Sequence, residues 1–368
     1  MGSDQEYFSS DIIFDILTRT PSLKTLDTCK CVSKTWKRMI YESSFMPTYC
    51  KRTDNVSGYF IQDMKNNKHV SVFVSIDQSE EEGGRGRGRG GYIGRFPYDD
   101  MKILASCNQG LLCCVRQKYR AYRYYVCKPA TEQWQAVPNP KLCYETVAVA
   151  IMVLRASPLR YKIVRLSKLD VVENYRMLRC EIFDSDLWTW RETQVLNLPY
   201  NEMITKYCTA VCVGNSVHWL TNHDNVLAFH EDDESFEKFS LPQTVNDAYE
   251  CKQLLEYQGR LGFTCLRKKD STIKLWWLTE DDPRNYYHQW TKKMDLNISS
   301  LERSLKYPSP AGFYNAEIAF INAVYEAVFY KLQDCSVRKV KLNYDFWFAH
   351  EYFQFRSDLE PVNLRCGI

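Results

Sequence analysis

The chain has 368 residues, 45% hydrophobic and 14% aromatic, with 48 lysines and arginines against 45 aspartates and glutamates and a formal net charge of +3. That apolar share can fill a sizeable core and excludes overall disorder. The near cancellation of charge gives no general attraction for a polyanionic partner, and the longest apolar runs fall far short of the roughly 18 to 20 residues that a membrane span needs.

The first fifty residues read as three short amphipathic helices. The first places Ile12 four residues from Ile16 and Ile13 four from Leu17, a wide apolar stripe on a helix of about ten residues. Asp11 sits where an acid favours the positive end of the helix dipole, and Thr20-Pro21 ends the helix because proline disfavours α geometry in the residue before it. Ser22 reads as the next N-cap. Leu23 and Leu26 open a second helix, and Val32, Trp36, Met39 and Ile40 mark the inner face of a third, whose outer face carries Lys34, Lys37 and Arg38. So few residues cannot bury so much apolar surface alone, so the unit packs on the rest of the chain or waits for a partner.

From about Val56 onward the period shortens from four residues to two, broken by turn signals. Gly58 to Ile61, His69 to Ile76, Ile103 to Cys107, Gly110 to Val115, Arg123 to Cys127, Thr146 to Leu154, Tyr161 to Leu166 and Leu178 to Phe183 are short and rich in β-branched and aromatic residues. About twenty-three such runs follow one another. Length alone suggests two to three domains of roughly 150 residues, but all-β domains routinely exceed that size. The expected organisation is a small helical domain over 5–50 and one large β domain over 56–360.

Strand pairs recur every forty to fifty residues or so, several ending in an aromatic residue followed by a Val-Pro or Leu-Pro turn. Trp134 precedes Val137-Pro138, Trp190 precedes Leu198-Pro199, Phe236 and Phe239 precede Leu241-Pro242, and Trp276-Trp277 comes before Trp290. Units of this kind cannot bury their own apolar faces and must stack, as the blades of a β-propeller do.

Two resemblances fit this organisation. The ordered segments Phe8 to Pro21, Leu23 to Leu26, Cys31 to Ile40, and Phe45 resemble an F-box. The resemblance implies docking on the Skp-type adaptor of a cullin-RING ubiquitin ligase, with Phe8, Ile12, Ile16, Leu17, Pro21, Leu23, Leu26, Val32 and Trp36 buried in the docked unit, some against the adaptor and some within the box. Two positions depart from that pattern. Phe8-Ser9 stands where Leu-Pro is usual, and Thr20 stands where leucine is usual, at roughly 0.8 kcal/mol per missing CH₂ if the site is buried.

Farther on, Ile103 to Cys113, Val126 to Trp134, Tyr161 to Arg165, Glu181 to Ser185 with Trp188 and Trp190, Val217 to Leu220, and Leu275 to Leu278 resemble, in order, the plant F-box-associated domain, which is propeller-like or kelch-related. Together the resemblances imply a multidomain chain: a small all-α F-box followed by an all-β propeller of about six blades. They also imply the substrate-recognition subunit of an SCF-type ligase, itself non-catalytic, whose propeller presents an unknown target protein for ubiquitination and proteasomal degradation. The alternative is a protein- or RNA-binding propeller that the helices merely cap and that joins no ligase.

Other signals carry less. The run Glu80-Glu81-Glu82-Gly83-Gly84-Arg85-Gly86-Arg87-Gly88-Arg89-Gly90-Gly91 resembles RNA-binding Arg-Gly segments. It holds few arginines, follows acids and lacks RNP1 aromatics, so it reads as a Gly-rich surface loop rather than a nucleic-acid site. The 15 cysteines include no C-x-x-C spacing and suit reduced thiols used as small core hydrophobes in the cytosol or nucleus. His218, His223 and His230 fall close together, but His218 next to Trp219 reads as structural. No nucleophile, phosphate-loop or metalloprotease motif is present, so neither an enzyme nor a cofactor is expected. Candidate target-binding loops are Tyr119 to Tyr125, Tyr200 to Tyr207 and Asp281 to Tyr287, because tyrosine and arginine are enriched at binding hot spots.

Overall fold

The computed structural model describes residues 9–20, 23–40, 45–52, 56–66, 68–76, 96–98, 100–107, 109–118, 121–140, 144–156, 158–172, 175–206, 208–242, 245, 249–279, 288–302, 305, 308–314, 317–342 and 351–365. Four short helices lead the chain: α1 (Ser10–Leu17), α2 (Leu23–Cys29), α3 (Lys34–Ile40) and α4 (Phe45–Arg52). The fourth goes beyond the sequence reading; it begins at Phe45 and carries Pro47 in its first turn, where a missing N–H costs a helix nothing.

Ser9 replaces the expected proline with a cap: its backbone is extended and its hydroxyl accepts the Ile12 amide at 3.4 Å. At the other end Thr20 is buried and its Oγ1 donates to the Leu17 carbonyl at 2.6 Å, satisfying one of the carbonyls that a helix end leaves open. Ser33 caps α3 in the same way, accepting the Trp36 amide at 3.1 Å. Ser22 and the turn around Pro21 lie outside the described residues.

The β region forms six separate antiparallel sheets, the blades of a propeller. Blade 1 opens with β1 (Val56–Lys65) and β2 (Lys68–Ser75). Blade 2 holds β3 (Met101–Ser106), β4 (Leu112–Lys118), β5 (Ala121–Lys128) and β6 (Gln133–Ala136). Blade 3 holds β7 (Thr146–Ala156), β8 (Leu159–Val172), β9 (Tyr175–Asp184) and β10 (Thr189–Pro199). Blade 4 comprises β11 (Val211–Val213), β12 (Ser216–Leu220), β13 (Asn225–His230) and β14 (Phe236–Ser240). Blade 5 comprises β15 (Tyr249–Tyr257), β16 (Arg260–Arg267), β17 (Thr272–Leu278) and β18 (Trp290–Asn297). Blade 6 comprises β19 (Ser309–Phe313), β20 (Ile318–Ala323), β21 (Glu326–Lys331) and β22 (Val337–Lys341). The last strand, β23 (Glu351–Ser357), pairs antiparallel with β1 from Val56↔Ser357 to Gln62↔Glu351 and so closes the ring.

Blades 2 to 6 each run from an inner to an outer strand, and in blade 1 the inner strand is β23, beside β1. The turns therefore sort onto two rims. The second-to-third-strand turns and the blade-to-blade connections form an upper rim; the first-to-second and third-to-fourth turns form a lower rim. Strand β1 starts on the lower rim, where the helical segment joins.

Two-residue alternation lets every blade grease both neighbours at once. In β7, Val149 and Ile151 pack toward blade 2, whereas Ala150 and Met152 pack toward blade 4. Six hydrophobic clusters result, one for each seam. The seam between blades 6 and 1 is continuous with the helices: Ile13, Leu17, Leu26, Met39, Ile40, Phe45 and Tyr49 share a cluster with Tyr59, Ile61, Phe320 and Phe329.

The repeated tryptophan and X-Pro turn have a mechanical role. Trp190 in the outer strand of blade 3 donates its indole N–H to the Pro138 carbonyl, in the exit turn of blade 2, at 2.6 Å. Trp290 of blade 5 does the same to Ser240, just before Leu241-Pro242 of blade 4, at 3.0 Å. Each indole thus ties its blade to the preceding one, with the Trp190 ring buried in its seam and the Trp290 ring packed at the edge of its own.

After β23 the chain continues as a strap under the lower rim of blades 2 and 3. Lys128, buried, pairs with Asp358 and donates to the Glu360 carbonyl. Gln133 bonds Val362 in both directions, accepting its amide at 2.9 Å and donating to its carbonyl at 2.8 Å. Leu364 enters the seam between blades 2 and 3, and Arg365 lies over the Trp188 ring.

Candidate interaction surfaces

The helices divide the apolar residues of α1 into two faces. Ile13 and Leu17 point inward, Leu17 being 1% exposed, whereas Ile12 and Ile16 are 48% and 52% exposed. Val32, in the turn before α3, is 60% exposed. Leu26 is buried and Trp36 is half-buried against the same core. Of the residues singled out by the F-box resemblance, Leu17 and Leu26 therefore serve the internal core, and Ile12, Ile16 and Val32 face solvent. The Leu23 side chain, Phe8 and Pro21 lie outside the described residues. The face has a charged border: Asp15 accepts from Arg19 at 3.0 Å and from Arg52 at 2.5 Å, tying α1 to α4. The Arg19 and Arg52 guanidiniums hold the Asp15 carboxyl below its ordinary range.

At the centre of the propeller the innermost strands frame a small open cleft lined by Ser106, Cys107, Val211, Leu254, Glu256 and Gln354 among others. Its carboxylate, Glu256, is engaged by the Gly259 amide at 2.6 Å. No base or nucleophile pairs with it among the described residues.

The histidines of blade 4 separate. His218 is buried and hydrogen-bonds the Val211 carbonyl at 3.3 Å, and burial lowers its pKa to about 4. His230 and His288 instead flank the Glu237 carboxylate at 3.4 and 2.8 Å, with His288 stacked on Phe239. Among the described residues no group of three or more His, Cys, Asp or Glu is arranged to hold a metal ion. Cys180 and Cys208 are free thiols. Burial pushes Cys180 up to about 11 and Cys208 to about 12, so these are protonated hydrophobes rather than nucleophiles.

Of the candidate loops, two share the upper rim. In the β4–β5 hairpin Tyr122 is exposed, while Tyr124 and Tyr125 are buried; in the connection from blade 3 to blade 4, Tyr200 and Met203 are exposed. Asp281 to Tyr287 lie outside the described residues, as does the Arg-Gly segment; the strand ends flanking 281–287, Leu278 and Trp290, belong to the lower rim. Tyr175 went unnoticed in the sequence. It starts β9 opposite Pro199 and so stands beside Tyr200 on the same rim, a proximity visible only once the register is known.

These features define a six-bladed β-propeller preceded by short helices, with inter-blade latches and no catalytic centre among the described residues. Residues 81–323 match the family described as F-box protein At3g26010-like, beta-propeller, and the chain belongs to that family of plant F-box proteins. It is similar to the Arabidopsis thaliana F-box protein At5g41720, at 32% identity over 45% of this chain and 88% of the relative. It is also similar to the Arabidopsis F-box proteins At5g49610, at 24% identity over 74% of this chain and 75% of that protein, and At3g28330, at 21% over 60% and 54%. No helix among the described residues is long and apolar enough to cross a membrane.

Proposed function

We propose that this chain is the substrate receptor of an SCF-type ubiquitin ligase, whose helices dock on a Skp-type adaptor, and through it a cullin, while the propeller holds a target protein. One observation carries the reading: Ile12, Ile16 and Val32 remain exposed on a helical unit whose other large apolar residues, among those described, are buried or half-buried against the propeller. A half-exposed aliphatic side chain gains on the order of 1 kcal/mol when it is covered, which favours a partner there. The nine positions singled out by the F-box resemblance then divide into contact residues, Ile12, Ile16 and Val32, and residues that hold the box together, Leu17 and Leu26. Phe8, Pro21, Leu23 and Trp36 are assigned to the docked unit without that division.

The receptor performs no bond-making step. Holding adaptor and target at fixed separation raises the effective concentration of a target lysine at the ubiquitin-loaded enzyme, which is the whole of its contribution. The cytosol and the nucleus, where such ligases work, are the compartments that suit free thiols.

The test is capture of the full chain on an immobilised Skp-type adaptor. Ile16→Asp and Val32→Asp should each lower capture at least tenfold with the melting temperature unchanged, whereas Leu17→Asp should unfold the helical unit. A wild-type chain that the adaptor does not retain, or exposed-face variants that bind as well as the wild type, would show that the helices only cap the propeller.

A further inference from the structure

The upper rim of blade 3 carries an apolar surface that the fold does not need. Tyr175 is 53% exposed, Tyr200 57% and Met203 42%. These side chains are not carried on a loose loop. The Asn222 amide donates to the Met203 carbonyl at 2.9 Å, its Oδ1 accepts the Met203 amide at 2.7 Å, and its Nδ2 donates to the Asn201 carbonyl at 3.0 Å. Beneath them Glu202 is buried and fully engaged, by Thr221 and Asn225 at 2.9 Å each and by Lys238 at 3.0 Å. Ile204 is buried and bridges to Thr221. The segment alternates between inward residues that fix it, Glu202 and Ile204, and outward residues that keep much of their surface exposed, Tyr200 and Met203. A backbone fixed in advance presents its side chains with less entropy to lose on binding.

Charge selects among occupants. Arg176 follows Tyr175, reaches the Tyr200 carbonyl at 3.4 Å, and has its Nε shielded without a partner among the described residues. Lys168 and Lys206 are exposed on the same rim. None of these three cations has an acidic partner among the described residues, and the one acid of the segment, Glu202, is already neutralised by Lys238. Aromatic and thioether side chains beside unpaired cations fit a chain that offers carboxylates and apolar anchors together.

We infer that this rim is where the target docks and that it takes an acidic protein segment bearing at least one large apolar side chain. The inference rests on the receptor reading for the word target only; the surface stands without it. A displayed library of random twelve-residue peptides panned on the folded full chain should yield sequences enriched in aspartate and glutamate around an aromatic or aliphatic residue. Tyr175→Ala with Tyr200→Ala, and separately Arg176→Glu with Lys206→Glu, should weaken the selected peptides at least tenfold, with unchanged melting temperature and unchanged adaptor capture. Selected peptides without acidic bias, peptides that bind both double variants like the wild type, or a fluorescent oligouridine that binds the rim and displaces the peptides would each overturn the proposal. Adaptor capture that fails in the wild type while peptides still select acidic anchors would remove the receptor reading and leave the docking site in place.

Discussion

The Tyr161 hydroxyl donates to the backbone carbonyl of Leu364 at 2.9 Å across a sequence separation of 203 residues. With it the strap beneath blades 2 and 3 becomes part of the core: Leu364 is buried beside Val149, Ile163 and Phe183. Leu364→Ala should cost about 2–3 kcal/mol of unfolding free energy in a denaturant titration. Removing residues 358–368 should cost more, because it also leaves buried Lys128 without Asp358. A truncated chain as stable as the intact one would mean the strap merely rests on the rim.

Gly110 turns blade 2 at a φ of +73, and a Cβ there would stand 2.2 Å from the Ser357 hydroxyl and 3.0 Å from its Cα. Both the backbone conformation and the contact exclude a side chain. Gly110→Ala should destabilise the ring by about 2 kcal/mol or more, with protection lost first at the β1–β23 amides in hydrogen exchange. Gly214, also at positive φ but with open space around its Cβ position, should cost less when changed to alanine.

Thr20 departs from the F-box pattern, yet it is integrated where it stands. Restoring the family residue by Thr20→Leu removes the hydroxyl bond to Leu17 and asks a buried site to admit a larger side chain. The variant should lose about 1 kcal/mol in the helical unit, read as faster exchange of the α1 amides, whereas Thr20→Ser should keep the bond and most of the stability.

His218 gives the propeller a pH dependence of definite sign. Its pKa is lowered from 6.5 to about 4, by burial first and also by His230 and His288, against which the bond to the Val211 carbonyl and the Glu237 charge act. Between those values the unfolded chain binds the proton and the folded chain does not. Stability is therefore full above about pH 6.5 and falls as pH drops toward 4, by on the order of 3 kcal/mol. In His218→Gln the slope of stability against pH across this window should flatten, leaving a smaller part from His69, whose pKa burial also lowers. Equal slopes in the two proteins would rule out His218 as the source.

The propeller was legible because its signals are local: alternation within a strand and a turn after it are properties of neighbouring residues. Even the Trp and X-Pro pairing stood in the sequence, though its purpose, an indole bonded across the seam, did not. The α1 stripe was legible as a stripe, but which of Ile12 and Ile13 faces the core depends on how the helix rolls against Phe45 and the blade 6–1 seam. The same limit hid Tyr175, whose neighbour across β10 is set by register, and the strap, whose Lys128 and Asp358 lie 230 positions apart.

Ring closure by β1 and β23 sets an order on biosynthesis. On the ribosome β1 emerges early and its inner-side partner last, so at roughly 5–20 residues per second the Gly58-Tyr59-Phe60-Ile61 edge waits tens of seconds unpaired on that side. Throughout that interval the helices are already outside the exit tunnel, with Ile12 and Ile16 exposed before the ring is closed. Nascent chains of this protein should therefore depend on chaperones shielding a greasy strand margin until the ring is complete.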